Sequence, residues 1–203
     1  MRIEIVVFEG FDALDVVAPW EVFARAANID PDLDVALVRL DGPPLVSAAD
    51  GLQLHVADEL GTPEALFVPG GSWVDGTDTG VRREIRRGTL PSLIADLSVS
   101  ARWVGSVCTG ALLLGEAGIL RGRNATTNPA ALEELSQYGA VVHRSRVVDD
   151  GNVVTAGAVT AGIDLALWLV QRELGGAVAD KVARAIAHPM PTDVWRAPDQ
   201  RPN

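Results

Sequence analysis

An α/β fold, with a mostly parallel sheet and helices on both faces, is what this sequence predicts. Three observations carry the expectation. Apolar, β-branched runs alternate with segments of helical periodicity along the chain, which is the pattern of βαβ units. The first run, Ile3 to Phe8, is interrupted only by Glu4, so it reads as a strand buried on both faces, the mark of a parallel sheet. The chain has 203 residues, of which 48% are hydrophobic. That fills one full core and not two, so residues 1–203 read as a single domain.

The elements follow in order. Val17, Val22, Phe23 and Ala26 fall near helical spacing and predict a helix over 14–27. Pro19 fits the first turn of that helix better than its interior, because only the first turn leaves an N–H unused. A second strand is expected at 34–40 and a short edge strand at 51–56. A third apolar run, 65–68, is cut off by Pro69-Gly70-Gly71. Surface helices are expected at 81–87 and 90–99. The strand at 103–107 runs straight into Cys108-Thr109-Gly110, and a buried helix at 111–120 follows. A short helix is expected at 129–138, strand pieces at 141–142, 147–148 and 153–156, and helices at 160–174 and 176–187. The tail, 189–203, carries four prolines and is expected to lie extended.

Composition narrows the function. The 17 basic and 27 acidic residues leave a net charge of −10. Such a surface repels nucleic-acid phosphates and anionic membranes and favours a small neutral substrate. The first residues do not read as a signal peptide, and no run approaches the ~20 apolar residues that span a bilayer. The single cysteine rules out an internal disulfide and a multi-cysteine zinc site. A cytoplasmic setting is the expectation.

In open α/β sheets ligands bind beyond the carboxyl ends of the strands. Three segments end there: Phe8-Glu9-Gly10, Pro69-Gly70-Gly71 and Cys108-Thr109-Gly110. Ser106-Val107-Cys108-Thr109-Gly110 has the small-x-nucleophile-x-Gly form of a nucleophile elbow, with Cys in place of Ser. An elbow lifts the side chain above the sheet and aims the positive end of the next helix at it, which is expected to lower the thiol pKa. A buried structural Cys is the alternative. Gly70 and Gly71 let backbone N–H groups approach a ligand, or form an ordinary turn. Asp15 lies inside the apolar run Ala13 to Pro19, where an acid needs a partner or caps the helix. Asp12 and Glu21 compete with it. Among the histidines, His55 and His143 have no catalytic context, and His188 suits a helix C-terminus.

The segments 8–22, Val-Pro-Gly-Gly at 68–71, 106–114, 117–123, Ala-Thr-Thr at 125–127 and 160–164 together resemble the ThiJ/PfpI superfamily, from residue 3 to about residue 175. Within it the chain is most similar to the isocyanide hydratase branch and to the sensor half of certain transcriptional activators. The resemblance implies a flavodoxin-like sandwich and a homodimer. It implies that Cys108 is the reactive thiol and that Asp15 is the acid hydrogen-bonded to it. Thr109 matches a residue that helps hold the site, and Gly70 and Gly71 match backbone amides that line it. One departure stands out: the family often has His-Trp after Ala-Thr-Thr, whereas this chain has Asn128-Pro129. Asn cannot serve as a base, which counts against amidase or protease chemistry.

The activity so implied is hydration of an isocyanide to an N-formamide, with Cys108 as nucleophile and Asp15 as proton shuttle, and it calls for no metal and no organic cofactor. Two alternatives remain open. One is another cysteine enzyme of the superfamily, acting on glyoxals or amides. The other is a ligand or redox sensor, which would need a separate partner because no DNA-binding region follows within these 203 residues.

Overall fold

In a computed structural model of the chain, the described residues are 1–73 and 77–197. Residues 198–203 of the expected extended tail lie outside them. In chain order the elements are β1 (Arg2–Val6), α1 (Ala13–Ala27), β2 (Asp34–Arg39), β3 (Leu45–Ser47), β4 (Gln53–His55), β5 (Asp58–Glu59) and β6 (Ala65–Val68). Next come α2 (Gly80–Arg87), α3 (Thr89–Ser98), β7 (Trp103–Val107), α4 (Gly110–Glu116) and β8 (Asn124–Ala125). After a 3₁₀ turn at Pro129–Ala131 follow α5 (Leu132–Gln137), β9 (Val141–Val142), β10 (Val147–Asp149) and β11 (Val153–Ala156). The last are α6 (Ala161–Leu174), α7 (Gly176–Ala185) and β12 (Val194–Arg196).

Eight strands form one sheet in the order β12-β10-β11-β7-β6-β1-β2-β5. Neighbours run parallel, with Ile3 opposite Val35 and Val68 opposite Ser106, except at the antiparallel β10–β11 pair. β6, β7 and β11 are buried along their whole length, as expected of strands covered on both faces. One helix group joins α1 with α6 and α7, and another joins α2 with α3 and α4. Phe23 of α1 stacks on Trp103 of β7 at 6.2 Å and meets Phe67 of β6 edge-on at 6.0 Å, so aromatic packing fixes how α1 lies on the sheet. The fold is a flavodoxin-like α/β sandwich.

Several expectations need correction. Pro19 lies inside α1, not in its first turn. The helix starts earlier than the periodicity suggests, because the Asp12 side chain accepts from the Leu14 N–H and caps it. The strand at 51–56 is not an edge of the main sheet. Its core, β4, pairs antiparallel with β3 in a separate ribbon, and the real edge is β5. The 141–142 piece pairs with β8, also apart from the main sheet. The helix at 111–120 ends as α4 at Glu116, ahead of Gly118 at φ 78°. In the tail, β12 pairs parallel with β10 and supplies the other sheet edge. Among the described residues no helix is long and apolar enough to cross a membrane.

The order of strands reverses beside β1, whose neighbours are β2 and β6. A crevice opens at the carboxyl ends there, and the β6 and β7 ends that border it carry the Gly70-Gly71 and Cys108 turns.

Candidate active site

Cys108 occupies a strained turn. Its φ is 54°, a left-handed conformation that costs a residue other than Gly about 1–3 kcal/mol and persists only where its surroundings fix it. They do so from both sides. The Cys108 N–H donates to the carbonyls of Ala156 (3.1 Å) and Gly157 (2.7 Å). The Thr127 hydroxyl donates to the Cys108 carbonyl at 2.7 Å. The glycine after the elbow is obligatory, since a Cβ on Gly110 would lie 2.5 Å from the Val68 carbonyl oxygen and 2.7 Å from that of Pro69.

Asp15 is fully buried, in the first turn of α1. Its Oδ2 accepts the Gly70 N–H at 3.0 Å, while Oδ1 has no hydrogen-bond partner among the described residues. Gly70, Asp15 and Thr109 converge: a Cβ at Gly70 would sit 2.8 Å from Asp15 Oδ2, Thr109 N and Thr109 Oγ1 alike. Thr109 Oγ1 donates to the Gly71 carbonyl at 3.1 Å and lies 3.2 Å from the Gly71 N–H. Thus the structure brings Cys108, Asp15, Thr109, Gly70 and Gly71 to one place. The competing side chains have other partners. Asp12 caps α1, and Glu21 pairs with Arg25 at the surface.

Electrostatically, Asp15 and Cys108 are one system. Burial, and then the nearby Asp12 charge, hold the Asp15 carboxyl well above the ordinary carboxylate range, against the pull of the Gly70 amide and the Cys108 thiol. Burial, and then the Asp15 charge, push the Cys108 thiol up to about 11. This corrects the expectation of a lowered thiol pKa. The helix that was to supply the positive end, α4, has only seven residues. The loss of water, and then the neighbouring carboxylate, outweigh it. Each group therefore resists ionisation beside the other, and the two titrate as a coupled pair.

Three groups favour the charged form of the sulfur: the Asn128 side chain and the backbone amides of Thr109 and Val159. Asn128 Nδ2 donates to Sγ at 3.3 Å, and its Oδ1 accepts the Ala130 N–H at 3.0 Å. The second bond orients the amide, so the NH₂ faces the sulfur. Val159 has φ 41°, a rare conformation for a β-branched residue. Thr127, Asn128 and Val159 were not among the residues singled out for the site. Asn128 had a sequence signal, the position of the family's frequent His. Val159 sits in a run of small apolar residues that gives none.

No histidine hydrogen-bonds Cys108 among the described residues. His55 is exposed on β4. His143 Nε2 lies 2.8 Å from Asn124 Oδ1, with its ring against Trp195. His188, expected merely to complement a helix end, has a specific partner: its Nε2 lies 2.9 Å from Asp164 Oδ1.

The sequence profile of the DJ-1/PfpI family matches residues 1–172. The chain belongs to this family. As a DJ-1/PfpI protein it is 35% identical, over 207 aligned positions, to the isonitrile hydratase of Pseudomonas putida, a match covering 100% of this chain and 86% of that one. A ThiJ/PfpI family protein from Pseudomonas syringae superposes with a TM-score of 0.80 at 28% identity, covering 94% of this DJ-1/PfpI chain and 76% of the other. An AraC family transcriptional regulator from Pseudomonas putida has a TM-score of 0.75 at 24% identity over 91% of this chain and 98% of that one. That last likeness is one of fold.

Proposed function

We propose that this protein hydrates an isocyanide to the N-formamide, using Cys108 as nucleophile and Asp15 as proton shuttle. The observation that carries the reading is the buried Asp15 carboxyl beside the sulfur, with one free oxygen and a raised pKa. The 35% identity to an isonitrile hydratase along the whole chain supports it.

The steps balance. In the reactive form the proton sits on Asp15 and the charge on sulfur. The thiolate forms a C–S bond to the terminal isocyanide carbon, and that carbon takes the Asp15 proton, giving a thioimidate, R–N=CH–S–Cys. The Asp15 carboxylate then takes a proton from water as the water oxygen adds to the same carbon, and passes that proton to nitrogen. The resulting R–NH–CH(OH)–S–Cys collapses: the hydroxyl proton returns to Asp15, the C–S bond breaks, and thiolate and formamide leave. The sum is isocyanide plus water to formamide. The Asn128 amide and the Thr109 and Val159 N–H groups hold the sulfur's charge at the start and the end of the cycle.

The test is formamide appearance with an aryl and an alkyl isocyanide. Wild type should turn over, and Cys108→Ala should not. Asp15→Asn, which keeps shape but loses the shuttle, should be slower by about 10²–10⁴-fold. Wild type that leaves both isocyanides unchanged, yet consumes a glyoxal or an amide, would replace this reading with the other cysteine chemistry. Wild type inert to all of them would favour a sensor.

A homodimer is part of the proposal. Leu14, Val17 and Trp20 stay exposed on one side of α1, and the exposed Glu21–Arg25 pair borders them. A two-fold pairing of α1 with its own copy would cover the apolar side chains and set acid against base. Sedimentation equilibrium should return twice the monomer mass, and a monomer at micromolar concentration would remove this part.

A further inference from the structure

The isocyanide reading leaves the rest of the substrate unspecified, and a cavity beside the elbow speaks to it. Its volume is about 210 Å³, and Thr127, Pro129, Arg144, Ser145, Arg146 and Ala158 are among the residues that wall it. Two of its walls are the segments that reach the sulfur. Asn128, whose amide donates to Sγ, lies between Thr127 and Pro129 in the first. Val159, whose N–H faces the sulfur, follows Gly157 and Ala158 in the second. Cys108 itself does not wall the cavity, but Thr127 does, and its hydroxyl donates to the Cys108 carbonyl at 2.7 Å, so the cavity and the elbow share a wall.

The third wall is cationic. Arg146 Nε is fixed by Asp164 Oδ2 at 2.5 Å, and its Nη2 lies 3.3 Å from Thr160 Oγ1. Asp164 is itself held by His188. Arg144 is exposed and pairs with no carboxylate among the described residues. The first turn of α6, a helix of 14 residues, also borders the cavity through Ala161, adding the positive end of its dipole. Among the described residues no acidic side chain lines this cavity, in a chain of net charge −10. The other polar cavities mix arginines with acids, Arg123 with Asp149 and Asp150 in one and Arg87 with Asp41 and Glu84 in another. Arg146 is already paired with Asp164, and Asp193 accepts its backbone N–H, so among the described residues of the lining the unpaired cation is Arg144. A small concave site with that arginine and a serine hydroxyl in its lining suits an anion, and guanidinium matches a carboxylate through paired N–H donors.

We propose, resting on the isocyanide reading above, that this cavity receives a carboxylate on the substrate, so that the preferred isocyanides carry an anionic arm. Arg144 is the residue that sets the preference. Overall charge pointed to a neutral substrate because it averages the surface; the local lining reverses the sign. The isocyanide carbon, which reacts, remains uncharged.

The test compares 4-isocyanobutanoate with its methyl ester. Wild type should show kcat/KM at least about 10-fold higher for the acid, the scale of one charge-assisted hydrogen bond. Arg144→Ala should bring the ratio close to one, and Arg144→Lys should restore part of it. A wild-type ratio at or below one, or a ratio that Arg144→Ala leaves unchanged, overturns the proposal. A second arm needs no turnover: protection of Cys108 from iodoacetamide by 4-formamidobutanoate and by its methyl ester. The acid should protect at roughly 10-fold lower concentration in wild type and lose that advantage in Arg144→Ala; equal protection overturns the cavity assignment. If neither isocyanide is hydrated, the hydratase reading fails, and the protection arm still decides whether the cavity binds carboxylate.

Discussion

Asp15 is costly to the fold for one reason, its burial, and the same burial is what would make it an acid in the proposed reaction. Removing a carboxylate from water raises its pKa, and an unpartnered Oδ1 adds to the penalty. Folding therefore favours the protonated form. Stability from this residue is fully present below pH ~3.9, the unfolded carboxyl's value, and is lost as pH rises through the folded value. Asp15→Asn should thus be more stable than wild type at neutral pH, by about 1–3 kcal/mol, and the advantage should vanish in acid. Denaturant midpoints at several pH values measure it, and a less stable variant at pH 7 would contradict the account. The same change removes the charge that lifts the thiol. The pH midpoint of Cys108 alkylation, expected above that of a free thiol in wild type, should fall in Asp15→Asn and rise in Asn128→Ala. An unmoved midpoint in both variants would show that the three groups are not coupled.

At this scale the sequence exposed what was anomalous. An acid in an apolar run and a lone cysteine between a buried strand and Thr-Gly both break local rules, and both lie at the site. Val159 breaks a rule only in its φ, which no composition reveals. The direction of the thiol shift was not legible because an elbow motif describes one neighbour of the sulfur, while the burial that shifts it most depends on the whole fold and the carboxylate that adds to it arrives from a helix more than ninety residues earlier.

At the scale of elements, α1 and the elbow do the positioning. Pro19 has no N–H to offer the Asp15 carbonyl one turn before it, so α1 lacks one of its bonds close to the site. Close packing favours the ring there: a Cβ on Gly162 of α6 would come within 3.2 Å of Pro19 Cγ and 3.3 Å of Val107 Cγ2. The periodicity of α1 was legible, but its start was not: Asp15 read as a candidate cap, whereas it is Asp12 that accepts the Leu14 N–H and caps the helix. The elbow is less tolerant still. Gly110→Ala would drive a methyl into the backbone carbonyls of Val68 and Pro69. It should cost about 1–3 kcal/mol or more and displace the sulfur, so both the denaturant midpoint and the Cys108 alkylation rate should drop. Wild-type values for both would mean that the turn is looser than its contacts imply.

For the whole molecule, the parallel core was readable because strands covered on both faces are apolar throughout, as β6, β7 and β11 are. The reversed pair β10 and β12 was not. Strand direction depends on where the connections cross, and β12 comes from a proline-rich tail that carries no strand pattern. The sheet order sets the Gly70-Gly71 turn beside the Cys108 turn, and α1 delivers Asp15 between them. The fold thus places a buried carboxyl beside the sulfur at this end, which is what the proposed reaction requires. The most direct measurement is the mass of the Cys108 peptide after an acid quench during turnover of an isocyanide. Addition without a leaving group predicts a gain equal to the whole isocyanide on Cys108, absent in Cys108→Ala along with the formamide. Formamide production with Cys108 never modified, and retained by Cys108→Ala, would contradict the account.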